Sequence, residues 1–422
     1  MILQVKKSKL SGRVAVPGSK SHTIRAVAAA LLASGKSVLR SPLASADTLS
    51  TLNAAAALGA KVEKFADRWE IAGAGGNLRD PGSVIDMGNS GTGLRMLSAL
   101  CANCGFPVTF DGDASLRTRP MKNLAAALRE LGATVSADFC PLTVQGPLKG
   151  GHAEVEAVSS QFLSALLFAL PLAPENSELT VTLLNEAPYV GITLDWLERC
   201  GVGFSASRDY RHFVIPGRQT YRAFDAAIPA DFSTACFPLG AAVATGSKLE
   251  IANLDFNDPQ GDKAVFDHFA AMGAKIERGS LFTAVSRGDR FTGREIDLNS
   301  TPDALPVMAA CACFASGTTR LVNVPQARIK ETDRIACMTA ELRKMGAAVE
   351  ELPDGMVITG GPLHGAELDS HDDHRIAMAL AVAAMGADTP SRILHAESVG
   401  VTYPGFVADF VRLGAAMHLT EA

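Results

Sequence analysis

Residues 126–137 read AALRELGATVSA: apolar positions at helical spacing, a glycine, then a short alternating run. Glycine ends such a helix because it accepts the left-handed backbone that other residues resist. The same phrase recurs as AAAALGAKVEKF (54–65), DWLERCGVGFSA (195–206), DHFAAMGAKIER (267–278), AELRKMGAAVEE (340–351) and ADFVRLGAAMHL (408–419). Its glycines, Gly59, Gly132, Gly201, Gly273, Gly346 and Gly414, stand 73, 69, 72, 73 and 68 residues apart. A fixed period of this length marks an internal repeat.

A second series interleaves with the first. Ala/Leu-rich helices are predicted to begin at Ser21, Gly91, Ser160, Asp231, Asp303 and His374, at intervals of 70, 69, 71, 72 and 71 residues. They are apolar nearly all round, which predicts burial. Between the two helices of each copy lies a strand-like run: SVLR, PVTF, LTVTLL, KLEI, TTRLVN and SRILH. Each copy therefore reads buried helix, strand, loop, amphipathic helix, glycine, strand. Six α/β copies of about 70 residues fit two domains of three copies each. The phase of the repeat divides them into an inserted domain, 18–228, and a discontinuous one, 1–17 plus 229–422. The opening run Met1–Val16 is expected to complete the copy whose helix starts at His374.

Composition narrows the function classes. The chain has 422 residues, 47% hydrophobic and 20% charged, which is globular. A net charge of −5 argues against wholesale nucleic-acid binding, so any basic site is local. The longest apolar stretches, 162–173 and 376–387, are too short to span a bilayer. No apolar core follows the lysines of MILQVKKSKLSGRV, so no secretory signal is read there. The eight cysteines sit among apolar neighbours, as buried thiols of a reducing cytoplasm do. Cys101 and Cys104 form a lone C-x-x-C without a second pair to make a metal site.

Polar residues gather where the buried helices begin: GSKSHTIR (18–25), GNSGTGLR (88–95), SSQF (159–162), ADFST (230–234), TPDA (301–304) and HDDHR (371–375). A helix start offers unpaired N–H groups and partial positive charge, which suits anions. Three such starts from each domain, facing one cleft, would hold anions with little side-chain charge. The loops before the amphipathic helices add Asp47, Arg119, Tyr189, Asp258 and the run Arg328-Ile329-Lys330-Glu331-Thr332-Asp333-Arg334. Arginine grips carboxylate or phosphate with two parallel N–H groups, and lysine acts as a point charge. Glu331 among cations suits a general acid, and Asp303 at a helix start a general base. Simpler readings exist for each alone. A Ser or Asp at a helix start is an N-cap, and the 330–334 run is a solvated helix start with local ion pairs. Residues 371–374 offer metal-ligand types but no matching set elsewhere in the repeats. Residues 88–93 lack the spacing and lysine of a P-loop. Recurrence at equivalent phases favours a site, since independent caps bring no lysines and arginines with them.

Taken together, these segments resemble the 5-enolpyruvylshikimate-3-phosphate synthase family over nearly the whole chain. The likeness rests on Gly18-Ser19-Lys20-Ser21 with Arg25, Gly88-Asn89-Ser90-Gly91-Thr92 with Arg95, Arg119-Pro120, Ser159-Ser160-Gln161, Lys330-Glu331-Thr332-Asp333-Arg334 and Asp373-His374-Arg375. The resemblance implies two inside-out α/β domains of three repeats each, a monomer, and no metal or organic cofactor. It implies transfer of the enolpyruvyl group of phosphoenolpyruvate to the 5-hydroxyl of shikimate 3-phosphate. Lys20 would touch both substrates. Ser21, Arg25, Ser159, Ser160, Gln161, Asp303 and Lys330 would hold the shikimate partner, with Gln161 also near phosphoenolpyruvate. Gly91, Arg119, Arg334 and Arg375 would hold phosphoenolpyruvate, and Asn89, Gln326 and His374 complete the substrate-binding set. Asp303 would deprotonate the attacking hydroxyl, and Glu331, with Lys20, would protonate the methylene carbon.

Three positions depart from the family's pattern. Val401 stands where a lysine commonly precedes Thr402-Tyr403-Pro404, Glu186 where a serine commonly precedes Tyr189 by three residues, and Gln326 where asparagine is common. They keep two alternatives open: transfer to another hydroxyl acceptor, and a non-enzymatic anion-binding relative. The sister activity on UDP-N-acetylglucosamine uses a catalytic cysteine in the loop before its arginine, and residues 112–119 contain none.

Overall fold

A computed structural model describes residues 1–421. The chain forms two compact units that divide at the Pro17–Gly18 and Ile228–Pro229 bonds.

In the unit of residues 18–228, three buried helices, Lys20–Leu32, Gly91–Cys101 and Ser160–Ala169, form the centre. Phe162, Leu163, Leu166, Leu167 and Phe168 have no exposed surface. Burying one such side chain contributes about 1.5–3 kcal/mol, so an all-apolar helix is stable only inside the unit. The amphipathic helices Ala46–Ala57, Lys122–Glu130 and Ala187–Arg199 flank the centre. Three four-stranded sheets complete the layers. Gly59, Gly132 and Gly201 follow the amphipathic helices with φ of 112°, 100° and 73°, the left-handed stop read from the sequence.

The other unit repeats the plan with helices Phe232–Ala244, Leu305–Ala312 and His374–Gly386 inside and Ala264–Met272, Arg334–Lys344 and Phe406–Arg412 flanking them. Among the described residues the six four-stranded sheets share one topology: a parallel edge strand, a central strand, then two antiparallel strands joined as a hairpin or its equivalent; a separate two-stranded sheet pairs Ala33–Ser34 with Tyr221–Arg222. The sequence pattern located the central strand and the strand after each glycine. Apart from the opening run Met1–Val16, it missed the parallel edge strands and the strand lying between the central strand and the strand after each glycine.

The opening segment divides between two repeats. Ile2–Val5 lies between Ser391–Leu394 and Met417–Thr420, completing the repeat of the His374 helix as expected. Arg13–Ala15 instead pairs in parallel with Lys248–Ala252, as the edge strand of the repeat of the Asp231-capped helix. Expecting the whole run in one repeat was wrong, because repeat phase alone cannot see the break at residues 6–12. In the 18–228 unit the corresponding edge is supplied from the far end, where Asp225–Ala227 pairs with Lys36–Arg40.

Candidate active site

Within residues 18–228 the predicted site residues cluster at the starts of the three central helices. Ser19 caps the first by accepting from the His22 N–H. Lys20 opens that helix, and its Nζ lies 3.1 Å from Asp47 Oδ2, a carboxylate 4% exposed. Asp47 thereby fixes the direction of the lysine. Arg25 is 1% exposed. Its Nε donates to Thr193 Oγ1 at 2.8 Å, Nη1 to the Ser21 carbonyl at 3.1 Å, and Nη2 to Ser164 Oγ at 3.3 Å and the Tyr189 carbonyl at 3.2 Å. Burial pulls this guanidinium down to about 10, while Tyr189 and Glu186 pull the other way; it remains cationic at neutral pH.

The second helix begins at Gly91, and its cap Ser90 makes no side-chain capping bond. A Cβ at Gly91 would lie 3.0 Å from Arg119 Nη1 and 3.1 Å from Arg95 Nη1. A side chain larger than glycine's hydrogen would push both guanidinium groups back from this helix start by a few tenths of an ångström. Arg119 donates to Asn89 Oδ1 and, at 3.2 Å, to Ser115 Oγ. Asn89 Nδ2 donates to Asp113 Oδ2 at 2.7 Å. Arg95 donates to Gln161 Oε1 at 2.5 Å and to the Pro120 carbonyl at 3.1 Å. Arg95 thus ties the second helix start to the third.

At the third start, Ser159 and Ser160 both donate to Glu186. Ser160 Oγ lies 2.7 Å, Ser160 N 3.2 Å and Ser159 Oγ 3.4 Å from Glu186 Oε2. Glu186 is 2% exposed. A carboxylate therefore sits on the donors of this helix start.

In the other unit, Asp303, Lys330, Glu331, Arg334 and Arg375 form one charge cluster. Arg334, 1% exposed, donates from Nη1 to Asp303 Oδ1 at 2.9 Å, from Nη2 to Glu331 Oε2 at 2.7 Å, and from Nε to Asp373 Oδ2 at 2.7 Å. Arg375 Nη2 lies 2.9 Å from Asp303 Oδ2 and donates to Ser233 Oγ at 2.9 Å. Lys330 Nζ lies 3.8 Å from Asp303 Oδ1. Asp373 Oδ1 also accepts from the Arg375 N–H at 2.8 Å, capping the His374–Gly386 helix. Burial disfavours the Asp303 charge, and Glu331 adds to that. Arg375, Lys330 and Arg334 outweigh both and hold the carboxyl far below the usual carboxylate range. Arg334 shows the mirror effect: burial lowers it, but Asp373, Glu331 and Asp303 raise it well above its ordinary value.

Two more predicted residues are buried in this unit. Gln326 is 2% exposed and its Nε2 donates to the Asn299 carbonyl at 2.9 Å. His374 is 1% exposed, with Nδ1 3.9 Å from Asp373 Oδ1. The sequence did not give Ser164 or Thr193 a role in the site, and it named Asp47, Ser233 and Asp373 only among the polar residues of the loops and helix starts. Asp373 carried a signal, an acid immediately before a predicted helix start. Ser164 and Thr193 carried none, because their link to Arg25 exists only after the helices pack. Residues 371–374, weighed as metal ligands, are engaged otherwise: His371 lies 3.1 Å from Glu341, and Asp373 takes Arg334 and the helix cap. Among the described residues no group of three or more potential ligands is gathered for a metal ion. Cys101 and Cys104 are buried and unbridged, and burial pushes the Cys101 thiol up.

The fold is that of the enolpyruvyl transferases, with a charged cluster at the helix starts of each unit. Solved structures share it: EPSP synthase from Acinetobacter baumannii matches with a TM-score of 0.84 and 26% identity, covering 100% of both chains. The enolpyruvyl transferase NikO from Streptomyces tendae matches with 0.82 at 19% identity, covering 100% of this chain and 99% of that one, a likeness of fold alone. The family model for EPSP synthase (3-phosphoshikimate 1-carboxyvinyltransferase) matches residues 5–410, and the chain belongs to that family. Among curated relatives, 3-phosphoshikimate 1-carboxyvinyltransferase of Acetivibrio thermocellus is 47% identical over 100% of both chains. That of Ruminiclostridium cellulolyticum is 45% identical, covering 99% of this chain and 100% of the relative. Among the described residues no helix is long and apolar enough to cross a membrane.

Proposed function

We propose that this chain transfers the enolpyruvyl group of phosphoenolpyruvate to the 5-hydroxyl of shikimate 3-phosphate and releases inorganic phosphate. The observation that carries the reading is the Asp303–Arg334–Glu331 arrangement, in which one buried guanidinium orients two carboxylates. Addition followed by elimination needs one group to take a proton from the hydroxyl and another to give a proton to carbon.

Asp303 accepts the hydroxyl proton as the oxygen bonds to C2 of phosphoenolpyruvate. Glu331, assisted by Lys20, delivers a proton to C3, and a tetrahedral intermediate forms. The C2–O bond to phosphate then breaks, C3 returns a proton to the Glu331 carboxylate, and the enol ether is restored. Arg119, Arg334 and Arg375 bind the anionic donor, while Gly91 leaves room for it at the helix start. Asn89 positions Arg119 through their hydrogen bond. Lys20, Ser21, Arg25, Ser159, Ser160, Gln161 and Lys330 bind the acceptor. Fixed cations lower the cost of gathering two anionic substrates and stabilise charge that develops in the transition state. The reading takes the chain to act as a monomer in the cytoplasm.

The test is phosphate release from phosphoenolpyruvate with and without shikimate 3-phosphate. Release only when both are present is expected. Release with other hydroxyl acceptors but not with this one would reject the reading.

A further inference from the structure

The acceptor side of the site, whose assignment rests on the proposed function, is altered by Glu186. A left-handed residue recurs after the central strand in other repeats, as Ser41, Asn253, Asn323 and His395, with φ of 51°, 57°, 56° and 55°. Glu186, with φ of 58°, falls one residue later relative to its strand because the pairing of Gly151–Ala157 with Ser177–Leu184 skips Thr182. The backbone here is thus a property of the repeat. The carboxylate is the peculiarity.

That carboxylate places one oxygen on three donors, Ser159 Oγ, Ser160 Oγ and Ser160 N. These are a helix-start N–H and two hydroxyls, the donor set that a phosphate oxygen takes. Its charge also bears on Arg25, the buried cation of the same region. The Gly91 helix start offers the contrast, since two guanidinium groups close over it and its cap makes no side-chain capping bond.

We propose that Glu186 is a specificity-determining residue that holds the acceptor's phosphate seat in cis. A phosphorylated acceptor must displace this carboxylate from its donors, whereas an acceptor with a hydroxyl there can donate to it. Discrimination between phosphorylated and unphosphorylated acceptors is therefore narrow in this chain, set by competition between two anions for one group of donors.

Calorimetric titration of the full chain with shikimate 3-phosphate and with shikimate tests this. Glu186→Ser should tighten shikimate 3-phosphate by ~10-fold or more, the scale of regaining charged hydrogen bonds. Shikimate should not gain, and the KM for phosphoenolpyruvate should stay within about twofold, a change too small to mark lost binding. Glu186→Gln, nearly isosteric and uncharged, should move in the same direction by less, and decides the matter if the serine variant fails to fold. Unchanged or weaker shikimate 3-phosphate binding in a folded variant would overturn the inference. If wild type neither binds nor turns over shikimate 3-phosphate but the variants bind it, the proposed native acceptor is wrong and the role of Glu186 stands. If wild type turns it over and the variants bind no better, the function stands and the inference falls.

Discussion

Arg334 and Asp303 meet at 2.9 Å, and the same guanidinium reaches Glu331 at 2.7 Å. One buried cation therefore positions both carboxylates assigned to proton transfer. Arg334 and Arg375 are also assigned to phosphoenolpyruvate, so an incoming anion competes with Asp303 for its cations.

The pH behaviour of Asp303 follows from that pairing. Burial opposes its charge, yet Arg375, Lys330 and Arg334 hold its folded-state value far below the unfolded one. The ionised form thus contributes stability above about pH 3.9, the ordinary carboxylate value, and loses it only as pH falls through the lower folded-state value. The carboxyl 13C shift of Asp303 should stay at its ionised position from about pH 8 to pH 4. In Arg375→Gln the midpoint should move up, since one of three cations is gone. A midpoint above about 4 in the wild type would contradict the cation-dominated cluster.

Glu331 is assigned the carbon-directed proton. Glu331→Gln keeps the shape and loses the proton donor. Turnover should fall by about 10²-fold or more, the usual contribution of a general acid, with both substrates' binding changed far less. Single-turnover rates together with titrations of each substrate separate the two effects, and unchanged turnover would remove Glu331 from the acid role.

Gly91 is assigned to donor binding, so the space around its Cα should matter to it. Gly91→Ala would bring a methyl group to 3.0 Å from Arg119 Nη1 and 3.1 Å from Arg95 Nη1. These guanidinium groups must shift by a few tenths of an ångström. The KM for phosphoenolpyruvate should rise by roughly tenfold, the effect of a small misplacement of charged donors, while that for the acceptor changes little. Steady-state kinetics with each substrate varied in turn provide the check.

Val401 closes the short helical stretch Ala396–Val401, at the position where the family commonly carries lysine. Val401→Lys should lower the KM for phosphoenolpyruvate by several-fold, as one added partly exposed cation contributes about 1 kcal/mol. The gain should shrink in high salt, which screens such charges. No change at low salt would mean that another cation already serves that position.

The repeat was written in the order of residues alone. Helical periodicity and a chain-stopping glycine are local properties, so residues 126–137 and their counterparts announced six helix–glycine–strand phrases without any knowledge of packing. The residue types at each helix start were equally local, which is why Lys20, Gly91, Ser160, Asp303 and Arg375 were legible. Short edge strands were not, because Asp225–Ala227 and Arg13–Ala15 gain their partners only from distant chain. Nor could residue order tell what each charge would face. Arg25 reaching Thr193, Arg95 reaching Gln161 and Arg334 gathering three carboxylates depend on helices packed side by side. Glu186 shows the difference most sharply. Along the chain it reads only as a carboxylate where the family commonly carries serine. The folded unit turns that carboxylate onto the Ser159 and Ser160 donors, because hydrogen-bond geometry is fixed by packing rather than by order along the chain.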